Sequence, residues 1–143
     1  MKRLFLILLF VAVSFSNSIA QGKKRHRKPS GRESFAKKIS IKYGTASFYA
    51  KKFNGRKTAN GDIYDSKKFT AACNVLPLNT WIRVTNLSNK KTAIVKINDR
   101  LHAKNKRLVD LSGDAARQLG YTGKGLTRVK VEVLSDAQLS SAH

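Results

Sequence analysis

From about residue 39 onward the chain alternates apolar and polar positions with a period of two. In IKYGTASFY, Ala46 and Phe48 share one face while Thr45, Ser47 and Tyr49 share the other. TWIRVTN sets Ile82 and Val84 against Trp81 and Arg83, and TAIVKIN puts Ala93, Val95 and Ile97 on one side. The cleanest run is TRVKVEVL, where Val129, Val131 and Val133 oppose Arg128, Lys130 and Glu132. Such alternation with β-branched residues predicts half-buried strands. Turn signals separate them: Asn54-Gly55, Asn60-Gly61, Ser88-Asn89 and Gly123-Lys124-Gly125. SGDAARQLG breaks the period and predicts a helix. Ser112 is its N-cap, Asp114 lies in its first turn, Ala115, Ala116 and Leu119 form its apolar side, and Gly120 stops it. A second helical turn is expected over residues 67–73, and the polar end after Leu134 is expected to fray. These elements predict a small, mostly β domain, and several short strands at such spacings point to a barrel.

The first part of the chain is patterned differently. Lys2 and Arg3 precede an unbroken apolar run over residues 4–13, and Ser18-Ile19-Ala20 supplies small residues for a signal peptidase. Residues 1–20 therefore predict a secretory signal cleaved after Ala20. The run is too short for a membrane helix, which needs ~20 apolar residues, and no transmembrane segment is expected. No cysteine stands near the cleavage site. The expected location is the periplasm or cell envelope, without a lipid anchor. Residues 21–40 are basic, hold Pro29 and Gly31, and show no apolar period. They read as a flexible linker or arm. One barrel domain is expected over 41–135, followed by a tail over 136–143. Cys73 is the only cysteine, so the fold must rest on its hydrophobic core rather than on a disulfide.

Charge narrows the partners. The formal net charge of +21 favours anionic polymers and surfaces. The basic arm at residues 23–28 has only Phe35 and Tyr43 as nearby aromatics, which is no base-stacking array, and no nucleic acid partner is expected. His26, His102 and His143 are scattered, so no metal or other cofactor is expected. Carboxylates are scarce: the chain has only 8 acidic residues. Glu33 lies in the arm, Asp136 in the tail, Asp114 at the helix start and Glu132 on a polar strand face. Asp62, Asp65, Asp99 and Asp110 remain. Asp99 extends the row Ala93, Val95, Ile97 by two positions, which would carry it to the mouth of the barrel. Partial burial there raises a carboxyl pKa and suits it to act as an acid, with Arg100 pulling the other way. The alternative is that Asn98-Asp99 only turns the chain. Asp110 is read as bonding backbone donors around the Ser112 cap. Asp62 and Asp65 could equally be solvated turn residues, and Cys73 a small core residue.

The motifs ASFY, FNGRKTANG, LPLNTWIRVTNL, INDR and VDLS stand in one order. In that order the chain resembles the rare lipoprotein A family over residues 43–134. The resemblance implies a six-stranded double-psi β-barrel with one or two short helices, as in barwin and the first domain of expansins. It implies a lytic transglycosylase acting on peptidoglycan glycan strands, in wall remodelling or daughter-cell separation. Such an enzyme cleaves between N-acetylmuramic acid and N-acetylglucosamine and leaves a 1,6-anhydromuramic end. An ordinary glycosidase needs two carboxyl groups. Here the C6 hydroxyl of the sugar is the nucleophile, so one carboxyl can serve as acid and then base. The resemblance puts that role on Asp99, with Asp62 and Asp65 as orienting groups. Tyr49, Asn60, Cys73, Arg100 and Asp110 are then expected to contact substrate, and a groove lined by Tyr49, Asp62, Asp65 and Asp99 is expected. A monomer is expected. Two motifs depart from the family. TAAC replaces TAAH at Cys73, and Leu101-His102 replace Gly-Pro after INDR, with His102 offering an imidazole nearby. A thiol cannot supply the hydrogen bonding of a histidine. The alternative function is therefore a non-catalytic peptidoglycan-binding barrel.

Overall fold

Six strands close into one barrel in the computed structural model, which describes residues 40–141. The expected signal over 1–20 and all but the last residue of the basic arm lie outside the described residues. The strands are β1 (Ile41–Phe48), β2 (Thr70–Ala72), β3 (Trp81–Asn86), β4 (Thr92–Asp99), β5 (Val109–Leu111) and β6 (Thr127–Val133). Around the barrel they run β1-β5-β2-β4-β3-β6. β1 pairs with β5, and β2 with β4, in parallel; every other pair is antiparallel.

The predicted alternation becomes the core. Ile82, Val84, Ala93, Val95, Ile97, Val129 and Val131 all point inward and are buried. Each buried aliphatic chain of Val or Ile size is worth roughly 1.5–3 kcal/mol relative to exposure. Gly44 lies on the inner row opposite Val129. A Cβ there would stand 2.5 Å from the Cβ of Leu108, so glycine makes room for Leu108 to fill the barrel.

The helix α1 (Gly113–Leu119) forms where predicted, and Gly120 ends it with φ at 74°. Ala115, Ala116 and Leu119 seat it on the barrel. Its last turn is closed from β3 and the turn that follows: the Asn86 and Asn89 side chains both donate to the Leu119 carbonyl at 2.9 Å. Ser112 holds the N-cap position, but its hydroxyl makes no cap bond. Its Oγ accepts instead from the Thr70 N–H at 3.4 Å, linking α1 to β2.

Two expectations fail. Residues 67–73 form no helix; a turn at Asp65–Lys68 leads directly into β2. Pairing of β2 with both β4 and β5 outweighs the local preference of Ala71 and Ala72. The polar end carries a second helix, α2 (Asp136–Ser140). Ser135 and Gln138 cap it reciprocally, satisfying donors that would otherwise fray the turn. Among the described residues no helix is long and apolar enough to cross a membrane.

Candidate active site

A bulge at the end of β4 sets the site. Ala71 pairs with Ile97, but Ala72 pairs with Asp99, so Asn98 is an extra residue. Bulges re-aim the side chains beside them. Asn98 is buried, and Asp99 emerges half-buried at the barrel mouth. Its carboxylate accepts three hydrogen bonds. Tyr49 Oη donates to Oδ2 at 2.7 Å, while the backbone N–H groups of Ala59 and Arg100 donate to Oδ1 at 2.9 and 2.8 Å. These donors come from three segments, so the carboxylate is fixed in orientation.

Asp110 faces the same space. It lies on β5 between the core residues Val109 and Leu111, so its own side chain points away from theirs. The parallel pairing of β1 and β5 sets Ser47 beside Asp110, and the Ser47 hydroxyl donates to its Oδ1 at 2.9 Å. Burial pushes the Asp110 carboxyl above its ordinary range, and the charge of Asp99 adds to this. The Ser47 hydrogen bond and the Arg107 charge oppose the shift. Asp110 makes no bond to the backbone around the Ser112 cap, which corrects the expectation for it.

Tyr49 bonds Asp99 and lies within the field of Asp110. Its ring packs on Tyr64 at 4.7 Å and on Phe53 at 5.9 Å between centroids. Burial, its hydrogen bond to Asp99 and the charges of both aspartates all push its pKa upward. Tyr49 is therefore a neutral donor. The resulting groove encloses about 470 Å³ and is lined by Tyr49, Phe53, Asp99, Arg100, His102 and Asp110. Arg56 and Lys57 add positive charge to its wall.

The other expected site residues are placed elsewhere or otherwise engaged. Asp62 and Asp65 do not line this groove. They border a separate cavity of about 340 Å³ with Lys68, Thr70 and Asn98. Asp62 is held below the ordinary carboxylate range, chiefly by the Asn60 amide. Asp65 Oδ1 accepts from the Lys67 N–H at 2.9 Å, a local turn bond. Asn60 spends its amide on its own turn and the loop before β3: Nδ2 donates to Asp62 and to Asn79, and Oδ1 accepts from Thr58 and the Asp62 N–H. The Cys73 thiol is fully buried in the core, away from the groove. Arg100 turns its guanidinium to the carbonyls of Cys73 and Leu76, so it pins that loop to the end of β4.

Sequence reasoning missed Ser47, Phe53, Arg56, Lys57 and Asn105. Ser47 had a usable signal, since it alternates with Tyr49 on one face of β1. The others lie in a single 3-10 turn, an isolated bridge or loops, too short for spacing to carry facing information.

Comparison with known proteins agrees with this architecture. A family model described as lytic transglycolase matches residues 41–131. The endolytic peptidoglycan transglycosylase RlpA of Haemophilus influenzae is 50% identical over 101 residues, covering 71% of this chain and 35% of that protein. The protein of the same name from Pseudomonas aeruginosa is 50% identical over 95 residues, covering 66% of this chain and 28% of its own length. The chain thus spans about a third of these relatives. Among solved structures, an aspartate-to-asparagine mutant of Clavibacter michiganensis expansin in complex with cellohexaose aligns with a TM-score of 0.54 at 19% identity, over 68% of this chain and 52% of that one. A Streptomyces papain inhibitor aligns with a TM-score of 0.54 at 20% identity, over 66% of this chain and 96% of the inhibitor. At such identities these two speak for the fold alone. A closed six-stranded barrel, a family match over residues 41–131 and relatives at half identity lead to one assignment: the chain belongs to the RlpA-like family of double-psi β-barrel lytic transglycosylases.

Proposed function

We propose that the protein is a peptidoglycan lytic transglycosylase that works outside the cytoplasm on glycan strands. The observation that carries this reading is the pair of carboxyls, Asp99 and Asp110, facing one groove in unlike environments. Asp99 is fixed by three donors matched to an ionised acceptor. Asp110 is the group that burial inclines to keep its proton. Unlike environments are how two carboxyls come to hold different roles. The proton-carrying role that the resemblance placed on Asp99 therefore passes to Asp110.

In this mechanism Asp110 gives its proton to the glycosidic oxygen as the C1–O bond breaks. The muramic C6 hydroxyl attacks C1 from within the same sugar, which gains from proximity. Its proton passes to the Asp110 carboxylate, restoring the acid and leaving a 1,6-anhydro ring. Asp99 stands as a preorganised negative charge beside the developing positive centre. Water is not consumed. The groove is built from one chain, so a monomer suffices, and the apolar run at residues 4–13 supports export.

A second reading rests on Cys73. Where the family has an imidazole, this chain has a thiol sealed in the core, which favours a barrel that binds wall glycan without cleaving it. Incubation with peptide-free glycan strands, followed by mass spectrometry of the products, separates the two. Transglycosylation predicts 1,6-anhydromuramoyl ends from the wild type and a large loss in Asp99→Asn. Binding without any such product contradicts it.

A further inference from the structure

The groove contains a side chain that the aspartate pair leaves unused. His102 is exposed and lines the same cavity as Asp99 and Asp110. The loop that carries it is tied down. Leu101 is buried, and its N–H donates to Asn74 Oδ1 at 2.9 Å. The Asn105 N–H donates to the His102 carbonyl at 2.8 Å and closes a turn. The Arg107 N–H then donates to Asn105 Oδ1 at 3.0 Å.

The ring itself is oriented. The Lys104 N–H donates to His102 Nδ1 at 3.3 Å. A neutral imidazole that accepts at Nδ1 carries its proton on Nε2. Among the described residues Nε2 has no hydrogen-bond partner in the protein, whereas three neighbouring groups are already engaged. Tyr49 Oη serves Asp99, Ser47 Oγ serves Asp110, and the Arg100 guanidinium serves two carbonyls. The Nε2–H of His102 is thus an oriented, open donor at the groove that holds Asp99 and Asp110.

We propose that His102 is a substrate-contact residue of this groove, its Nε2–H donating to an oxygen of an N-acetylated aminosugar bound across Asp99 and Asp110. This rests on reading the groove as a glycan site. A glycan is rich in hydroxyl and acetamido oxygens that such a donor meets without a change of charge. A neutral hydrogen bond of this kind sets affinity more than rate, because it is made equally in the ground and transition states.

The test uses the mature full chain and peptide-free glycan strands, with binding measured in an Asp110→Asn background so that cleavage does not interfere. His102→Ala should weaken binding by about 3- to 10-fold, the loss of one hydrogen bond. His102→Gln, which keeps an N–H donor, should restore most of it. In the otherwise wild-type chain, His102→Ala should raise KM by a similar factor with kcat little changed. Equal binding by the alanine and histidine forms overturns the proposal, while product formation by the wild type leaves the transglycosylase reading intact. A fall in kcat with unchanged binding overturns it too, since the ring would then serve the chemistry rather than affinity. If no form binds the strands, the glycan reading fails and the proposal fails with it.

Discussion

Asp99 and Asp110 stand on strands, whereas Asp62 and Asp65 stand in the loop between β1 and β2. The hydrogen bonds they receive differ accordingly. Asp99 takes two of its three from residues 50 and 40 positions away, and Asp110 takes its bond from a residue 63 positions away. Asp65 is bonded by a residue 2 positions away, and Asp62 chiefly by Asn60, also 2 positions away, with the Asn98 side chain adding a weaker influence. Long-range donors fix a carboxylate relative to the fold; local donors shape a turn. Their titration differs in sign as well. Burial raises Asp110, while the Asn60 amide lowers the exposed Asp62. Having carboxylates near a family motif is therefore not enough. What makes a pair fit for chemistry is being held by separate elements around one space.

That contrast can be broken in several ways, beginning with the largest effect. Asp110→Asn should lower product formation by roughly 10²- to 10⁴-fold, the usual contribution of a general acid. Wild-type activity should also fall as pH rises through the raised pKa of Asp110. Ser47→Ala removes an influence that lowers this pKa, so the alkaline limb of the pH–rate profile should move upward; a limb that stays put separates Asp110 from the proton transfer. Next in size is Gly44→Ala. Its Cβ would meet Leu108, and overpacking of this kind costs about 1–3 kcal/mol. Urea denaturation should show the loss, and adding Leu108→Gly, which removes the Cβ that is struck, should relieve the clash, whereas Leu108→Ala should not. Tyr49→Phe removes one bond to Asp99, and kcat/KM should drop about 3- to 10-fold with the fold intact.

The pH dependence of stability gives the smallest effect and the clearest sign. Asp110 has a raised folded pKa, so its favourable contribution is complete below the ordinary value of 3.8 and is lost as pH rises through the raised one. Asp62 has a lowered folded pKa, so its contribution is present above 3.8 and is lost as pH falls through the lowered one. In thermal melts from about pH 3 to about pH 7, Asp110→Asn should gain on the wild type as pH rises. Asp62→Asn should lose slightly over the same interval. Parallel curves for the two variants would remove the electrostatic side of the contrast.

Much of the barrel was legible in the sequence because β1, β3, β4 and β6 are long enough to show a period of two. β2 and β5 are 3 residues each, too short to show one, and the composition of TAA favours helix. The helix α1 announced itself through its apolar side and Gly120. The α2 cap is written in Ser135 and Gln138, three residues apart, within a segment whose polarity alone predicts a frayed tail. Asp99 was legible from its row on β4, although the bulge at Asn98 sets its final direction. The partnership of Asp110 and Ser47 was not, because a parallel strand pair joins residues with no sequence relation. Asn60 and Cys73 match family motifs by position, yet one is taken up by loop hydrogen bonds and the other by the core.

The most direct test sets one pair against the other. Wild type, Asp99→Asn/Asp110→Asn and Asp62→Asn/Asp65→Asn are compared for 1,6-anhydromuramoyl ends released from peptide-free glycan strands. The groove pair should be essentially inactive, and the loop pair should keep at least about a third of wild-type activity, as surface changes of about 0.5 kcal/mol allow. Retained activity in the groove variant, or its abolition in the loop variant alone, would contradict the assignment of the chemistry to Asp99 and Asp110.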